Sequence, residues 1–135
     1  MSVVWFGSRF TRKTKQRLSR NLDTAAEFLV KDIKEKFPSS GAEGTISGGG
    51  SSKNVSTSPG IPFVQTGALR ASIRSERVNQ LVRRIGSTLQ PAQGQTHSYA
   101  MLLEYGTDGG QMEERPYLRP SLPRNRGMIN KLIKK

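Results

Sequence analysis

Residues 14–37 carry a single apolar stripe that predicts one long amphipathic helix. The apolar residues recur at steps of three and four, which places them on one helical face: Leu18, Leu22, Ala25, Ala26, Leu29, Ile33 and Phe37. Pro38 ends the pattern, because proline disfavours helical backbone at the residue before it. The 135-residue chain is long enough for one domain with one core, and this helix is its longest predicted element.

The stretch after the helix, residues 38–60, is rich in glycine and serine and holds few large apolar side chains. Such a composition cannot fill a core and predicts a long flexible loop. Long loops in small domains are usually functional or disordered. We therefore expect a single domain over residues 1–135, with this loop inside it and basic termini at 1–13 and 134–135.

Shorter elements follow residue 60. Thr66 can cap a short helix that continues to about Ile73, with Leu69 and Ile73 inward and Arg70 and Arg74 on a polar face. A strand over residues 69–78 is the competing interpretation, because Leu69, Ala71 and Ile73 also alternate. The favoured prediction is a helix first and a strand from about Ser75.

The second half of the chain predicts a strand, a short buried element and a final helix. The strand covers residues 80–87, with Val82 and Ile85 inward. The final helix covers residues 127–134, after three prolines that disfavour a central strand. Gly106 is placed as the C-cap of the buried element, whose inward residues are expected to be Tyr99, Met101, Leu102, Leu103 and Tyr105. The class is α+β: a long N-terminal helix, a small antiparallel sheet and further helices.

The chain carries a net charge of +12, which implies attraction to nucleic acid or to an acidic protein surface. Two terminal basic clusters contain no acidic residue: Arg9, Arg12, Lys13, Lys15, Arg17 and Arg20, then Arg124, Arg126, Lys131, Lys134 and Lys135. A third cluster is offset only by Glu76: Arg70, Arg74, Arg77, Arg83 and Arg84. Each cluster is either a solvated surface or a contact for an anionic partner. The candidate interface or DNA-facing residues are Arg9, Arg12, Lys13, Lys15, Arg17, Arg20, Arg70, Arg74, Lys131, Lys134 and Lys135.

The sequence lacks the usual signs of catalysis. His97 is the single histidine and there is no cysteine, which makes a poor metal site. No nucleophile-elbow pattern supports a hydrolase. Glu113 and Glu114 are neighbours in a polar loop rather than opposed carboxylates. We expect no enzymatic activity, no cofactor and no metal, and no apolar run approaches the roughly 20 residues of a membrane span.

Glu104 stands within an apolar run, and two interpretations of it remain open. It lies on the exposed face of a short helix, or it is a partly buried carboxylate paired with an arginine, Arg115 or Arg70. In the second case the pair would hold two elements or two subunits together.

The order of short motifs is similar to that of a known family. A helix is followed by a loop ending in SPGIPF, then TGALRASI, a strand ending in IGS, HSYAMLLEYGT, RPYLRPSL and a C-terminal helix. From about residue 14 to residue 133, this order resembles the tail-component and neck proteins of long-tailed bacteriophages and prophages, the family named after gene product ten of phage HK97. The family-like positions are Thr66, Gly67, Leu69, Arg70, Ser72, Ile73, Tyr99, Ala100, Glu104, Tyr105, Gly106, Thr107, Arg115, Pro116, Tyr117, Leu118 and Pro120.

The resemblance implies a structural virion protein made in the bacterial host cytoplasm. Its fold would be a long helix across a twisted antiparallel sheet, and most family-like positions would be scaffold residues. It would form a six-fold or twelve-fold ring at the head–tail junction, as a neck or tail-completion protein. Its partners would be head-closure or connector proteins, the tail terminator or tail tube, and DNA bound without sequence preference in the lumen, with no membrane contact. The alternative is a stand-alone basic nucleic-acid-binding protein.

Overall fold

The computed structural model describes residues 7–37, 67–110 and 113–135. Their elements are α1 (Gly7–Lys36), α2 (Ala68–Ser72), β1 (Ile73–Asn79), β2 (Val82–Ser87), α3 (Tyr99–Tyr105) and α4 (Ser121–Lys134). The predicted α+β class is confirmed: a long N-terminal helix, a two-stranded antiparallel sheet and further helices. The predicted loop over residues 38–60 and the predicted cap Thr66 lie outside the described residues.

Helix α1 begins at Gly7, earlier than the predicted residue 14. Its buried apolar face is the predicted stripe at Ala25, Ala26, Leu29 and Ile33. Residues 8–17 are all exposed, so the first turns carry no buried stripe for periodicity to detect. They are helical with Lys and Arg side chains, which favour helices without burial.

Helix α2 leads directly into β1 at Ile73, so the helix-then-strand prediction is confirmed with a slightly earlier switch. β1 and β2 pair from Ile73↔Ser87 to Asn79↔Val82, with an irregularity between Arg77 and Asn79. The prediction that Val82 faces inward was wrong, because the residue is 45% exposed. Ile85, the other predicted inward residue of β2, packs against the core.

The core lies where the C-terminal end of α1 meets β1, α3 and the segment before α4. It is a cluster of five buried residues: Ile33, Phe37, Ile73, Leu103 and Tyr117. The rings of Phe37 and Tyr117 are tilted by 55° with centroids 5.5 Å apart. This small core is assembled from segments far apart in sequence, which fixes α3 and residues 117–118 against α1.

Helix α4 lies antiparallel to α1, as hydrogen bonds at its two ends show. At its N-terminal end, Arg124 and Asn125 each donate a hydrogen bond of 2.7 Å to Asp32. At its C-terminal end, Asn21 donates to the Ile133 carbonyl (3.0 Å) and Arg17 to the Lys135 carbonyl (2.8 Å). These α1 side chains satisfy carbonyls that a helix end leaves without an internal partner.

Helix α4 also begins earlier than predicted, at Ser121 rather than residue 127. Pro120 is its N-cap and Pro123 lies in its first turn. Proline is tolerated there because the first turn does not use its N–H groups for internal hydrogen bonds. None of the helices in the described ranges is long and apolar enough to cross a membrane.

Candidate functional site

Glu104 is a buried carboxylate, with 2% of the residue exposed. Its Oε2 accepts hydrogen bonds from the backbone N–H groups of Tyr117 (2.8 Å) and Leu118 (3.0 Å). Its Oε1 accepts from the backbone N–H of Arg119 (2.8 Å). Three consecutive backbone donors therefore surround one carboxylate, which joins α3 to the turn before α4.

The Arg119 side chain completes this arrangement. Its Nε lies 3.2 Å from Glu104 Oε1, and its Nη2 donates to the Glu104 carbonyl at 2.6 Å. Nη2 also contacts Glu114 Oε2 at 2.8 Å, and the guanidinium lies 5.0 Å from the centre of the Tyr105 ring. The hydrogen bond with Glu114 is the main reason that the pKa of Arg119 is raised. We call Glu104, Tyr117, Leu118 and Arg119 the Glu104 clamp.

The buried-carboxylate interpretation of Glu104 was therefore right in kind, but the partners considered for it were wrong. The described salt bridge is to Arg119, not to Arg115 or Arg70. Arg115 joins its segment to α3 through its backbone, because its N–H donates a hydrogen bond to the Leu103 carbonyl at 2.6 Å. The sequence offered one signal that could have found Arg119: the motif RPYLRP places a second arginine between two prolines.

Tyr117 holds the same two segments together from the core side. Its hydroxyl donates to the Ala100 carbonyl at 3.2 Å. Burial raises the pKa of Tyr117, and the nearby Glu104 charge raises it further. The hydroxyl is thus kept protonated and serves as a donor, which is a structural role.

Helix α3 presents Glu104 because both of its ends are fixed. The Ser98 side chain accepts a hydrogen bond from the Met101 N–H at its start. Gly106 ends the helix with φ 73° and donates its N–H to the Leu102 carbonyl at 2.7 Å, which confirms the predicted C-cap. Thr107 follows, and its carbonyl accepts from the Gly110 N–H.

The apolar residues of α3 are not all buried. Leu103 is in the core, but Tyr99, Met101 and Tyr105 are exposed, contrary to prediction. The inward face is formed by Ala100, Leu103 and Glu104, at the i, i+3 and i+4 spacing of a helix. α3 is short and has apolar residues on all sides, so the spacing of its apolar residues does not indicate which face is buried.

An open groove of about 540 Å³ lies over the Glu104 clamp. Its apolar rim includes Tyr105 and Leu122, 61% and 60% exposed, together with Met101. β2 contributes Ile85 and Ser87 to the wall. We call this feature the clamp groove.

The described part of the motif TGALRASI, residues 67–73, lies at the helix-to-strand junction rather than at the clamp groove. Gly67 has φ 75° and its carbonyl accepts from the Ala71 N–H at 2.8 Å. Leu69 packs against the core, while the Ser72 hydroxyl contacts the Leu69 carbonyl and the Ser87 hydroxyl, each at 2.7 Å. The remaining family-like positions are placed as follows: Ile73 fully buried, Pro116 half-buried, Leu118 against the core, Arg70 exposed and Pro120 at the α4 N-cap.

A second polar network, which the sequence did not indicate, fixes the hairpin to α1. Arg83 has a side chain only 6% exposed and forms a salt bridge with Asp23. Its Nη2 also donates to the Ser19 carbonyl and hydroxyl, each at 2.9 Å, and Arg77 donates to the same hydroxyl. The hydrogen bond from Arg83 lowers the pKa of Asp23. Arg83 and Arg77 of the third basic cluster therefore make structural contacts, although Arg77 is exposed, as are Arg70, Arg74 and Arg84.

The N-terminal basic cluster meets the last lysines of the C-terminal cluster in the folded chain, whereas Arg124 lies at the other end of α1. The hydrogen bond from Arg17 to the Lys135 carbonyl brings the N-terminal half of α1 beside the end of α4. We call the result the joined basic surface; its side chains are all exposed, namely Arg9, Arg12, Lys13, Lys15, Arg17, Arg20, Lys131, Lys134 and Lys135.

Within the described ranges, no group of three or more His, Cys, Asp or Glu residues could hold a metal ion. His97 is exposed, and its Nδ1 contacts the Thr96 hydroxyl at 3.0 Å. Comparisons of the chain with family models, with curated proteins and with solved structures found no match. The family resemblance of its motifs accordingly stays a prediction.

Proposed function

We propose that this protein is a structural subunit of the head–tail junction of a long-tailed phage. In this proposal it acts as a neck or tail-completion protein in a ring of copies around the DNA passage. The ring would contact head-closure or connector proteins on one side and the tail terminator or tail tube on the other. No catalytic step is assigned to it.

The observation that carries the proposal is the Glu104 clamp. A carboxylate with three backbone donors and an arginine is already fully engaged, so it supports the shape of a surface rather than proton transfer. It fixes the motif segments HSYAMLLEYGT and RPYLRPSL against each other. The outcome is a rigid surface with exposed Tyr105 and Leu122, a feature suited to contact with other protein subunits.

The joined basic surface supports the part of the proposal that concerns DNA. Its cations are exposed on two adjacent helices and can contact phosphates without reading bases. Such contacts suit a lumen through which DNA passes in any sequence.

Electron microscopy of lysates tests this function, with the gene disrupted in the source phage or prophage. Filled heads beside separate tails are expected if the protein joins the two. Tails of abnormal length would move the role to tail termination. Normal infectious particles would contradict the proposal, and supplying the gene in trans is the control that ties the defect to this chain.

One observation also favours a second candidate, a stand-alone basic nucleic-acid-binding protein. The hydrogen bond between Arg17 and Lys135 joins the N-terminal cluster and the last lysines of the chain into one cationic surface. That candidate predicts duplex binding by the monomer with an affinity that falls steeply as salt rises. Binding measured across a salt series, with the oligomeric state recorded in parallel, separates the two functions.

A further inference from the structure

The two ends of α1 differ in charge and in the shape of their apolar surface. Residues 7–22 at one end hold six basic residues and no acidic one. Residues 98–110 and 113–122, on the side of the other end, hold four acidic and two basic residues. The segments around α3 are therefore locally acidic, although Lys31, Lys34, Lys36 and Arg124 also lie at that end of α1.

The basic end also carries the most exposed large apolar side chain that the structure describes, Phe10, at 74%. It lies between Arg9 and Lys13 in a part of α1 where residues 8–17 are all exposed. No acidic residue stands in the first turn of α1. Cations at a helix N-terminus oppose the helix dipole, so a carboxylate from a partner would stabilise this end.

The clamp groove lies beside these locally acidic segments. Asp108 borders a neighbouring depression that shares Met101 and Tyr105 with the groove. Glu114 reaches the groove through its salt bridge with Arg119, and exposed Glu113 precedes it in the chain. The apolar rim is thus accompanied by the carboxylates of Asp108 and Glu113 and by the half-exposed Arg119, which pairs with Glu114. The groove volume of about 540 Å³ is ample for an aromatic side chain.

The two features cannot meet within one molecule. The groove is built on Leu103 and Tyr117, which pack against Ile33 and Phe37 near the C-terminal end of α1. Because an α-helix rises by about 1.5 Å per residue, Phe10 lies about 35 Å from Ile33 along α1. Phe10 and the cations beside it can therefore contact the clamp groove and its carboxylates only when the two features belong to different copies.

We propose that copies of this chain associate head to tail, with Phe10 of one copy seated in the clamp groove of the next. Arg12 and Lys13 then face Asp108 and Glu113 of that neighbour. The contact uses two different surfaces, so it is heterologous and repeats from copy to copy. It rests on the proposed function in that it supplies the contact from which a ring of subunits would be built.

Disulfide cross-linking tests the contact directly, because the chain contains no cysteine. Thr14 is exposed one helical turn after Phe10, so a cysteine there keeps the Phe10 side chain. The full-length variant T14C/M101C is oxidised at high protein concentration and separated without reductant. A ladder of covalent dimers, trimers and larger species is expected, since each copy carries both halves of the contact. The matched control is T14C/E27C, in which the second cysteine stands on the exposed side of α1. A ladder no stronger than that of the control would overturn the proposal.

Charge exchange provides a second, independent measurement. One variant carries R12E/K13E/T14C, and the other carries D108K/E113K/M101C with a mass tag. Each variant is mixed with the single-cysteine partner whose charges are unchanged, and the mixed covalent dimer is then expected not to form. The two exchanged variants are expected to recover it when mixed with each other. Loss without recovery would mean that the charges do not face one another, which contradicts the contact.

These outcomes are separable from those of the lysate experiment. Cross-linking reports a contact between purified copies, whereas microscopy of gene-disrupted lysates reports a role in the virion. A ladder together with normal particles would retain the contact and remove the junction role. Separate heads and tails without a ladder would retain the junction role and remove the contact.

Discussion

Arg119 binds Glu104 through three different groups. Its backbone N–H and its Nε both reach the carboxylate oxygen Oε1, at 2.8 and 3.2 Å, and its Nη2 reaches the Glu104 carbonyl at 2.6 Å. One residue thus holds both the side chain and the main chain of the other. The consequence is that α3 and the turn before α4 behave as a single unit.

Replacing Glu104 tests how much the clamp contributes to stability. We expect Glu104→Ala to lower the free energy of unfolding by about 3–5 kcal/mol, because it leaves three backbone donors without their acceptor. Urea unfolding followed by circular dichroism measures this loss. Glu104→Gln should lose less, since the amide keeps one acceptor oxygen.

The matched control for this prediction is Glu114→Gln. Glu114 also binds Arg119, but its side chain is 58% exposed, and exposed pairs contribute only about 0–1 kcal/mol. A Glu104→Ala variant that unfolds at the same urea concentration as the wild type would show that the clamp is not a stabilising element.

Arg83 tests the second polar network. We expect Arg83→Lys to lower the free energy of unfolding by about 1–3 kcal/mol, because an ammonium group cannot reach Asp23 and Ser19 together as the guanidinium does. Amide hydrogen exchange in β1 and β2 should also become faster. Arg84→Lys is the control, since Arg84 is exposed and its contact with Glu76 is 3.7 Å long; an equal effect of both variants would contradict a specific role for Arg83.

The contact between α1 and α4 at Asp32 predicts a pH dependence of stability. Burial opposes ionisation of Asp32, but hydrogen bonds from Arg124 and Asn125 outweigh it and hold its pKa below the ordinary value. A carboxyl group whose pKa is lowered by folding stabilises the protein above its unfolded pKa. That stabilisation is lost as the pH falls through the folded pKa.

The corresponding measurement compares the wild type with Asp32→Asn in urea at about pH 7, 5 and 3. The wild type should be more stable by about 1–2 kcal/mol at the two higher values, and the difference should shrink at the lowest. Glu35→Gln on the same helix should leave stability nearly unchanged, because Glu35 is exposed and 3.8 Å from Lys31. A difference that grew on acidification would refute this account of Asp32.

The parts of the fold that follow from local periodicity could be predicted from sequence. The stripe from Leu18 to Phe37 repeats with the helical period, and its inner positions are buried in the structure. Gly106 was predictable as a C-cap because a positive φ favours glycine. The start of α4 could not be predicted from its prolines, because Pro120 and Pro123 lie at the N-cap and in the first turn, where a helix accepts proline.

The candidate site was predictable only in part. A carboxylate within an apolar run pointed to a buried pair at Glu104, but the partner lies fifteen residues further on and depends on a turn that places Tyr117, Leu118 and Arg119 together. Arg83 and Ser19 are still further apart in sequence. Contacts of this kind are set by tertiary packing, which a single sequence does not encode locally.

The joined basic surface gives a prediction about phosphate contacts. We expect the variant K131Q/K134Q/K135Q to bind duplex DNA more weakly than the wild type. If all three side chains contact phosphates, the slope of log affinity against log salt should fall in magnitude by about 2–3. The control K31Q/K34Q/K36Q removes the same charge from the other end of α1, where Asp32 binds Arg124. Fluorescence anisotropy across a salt series measures both variants, and equal slopes would show that net charge, rather than this surface, governs DNA binding.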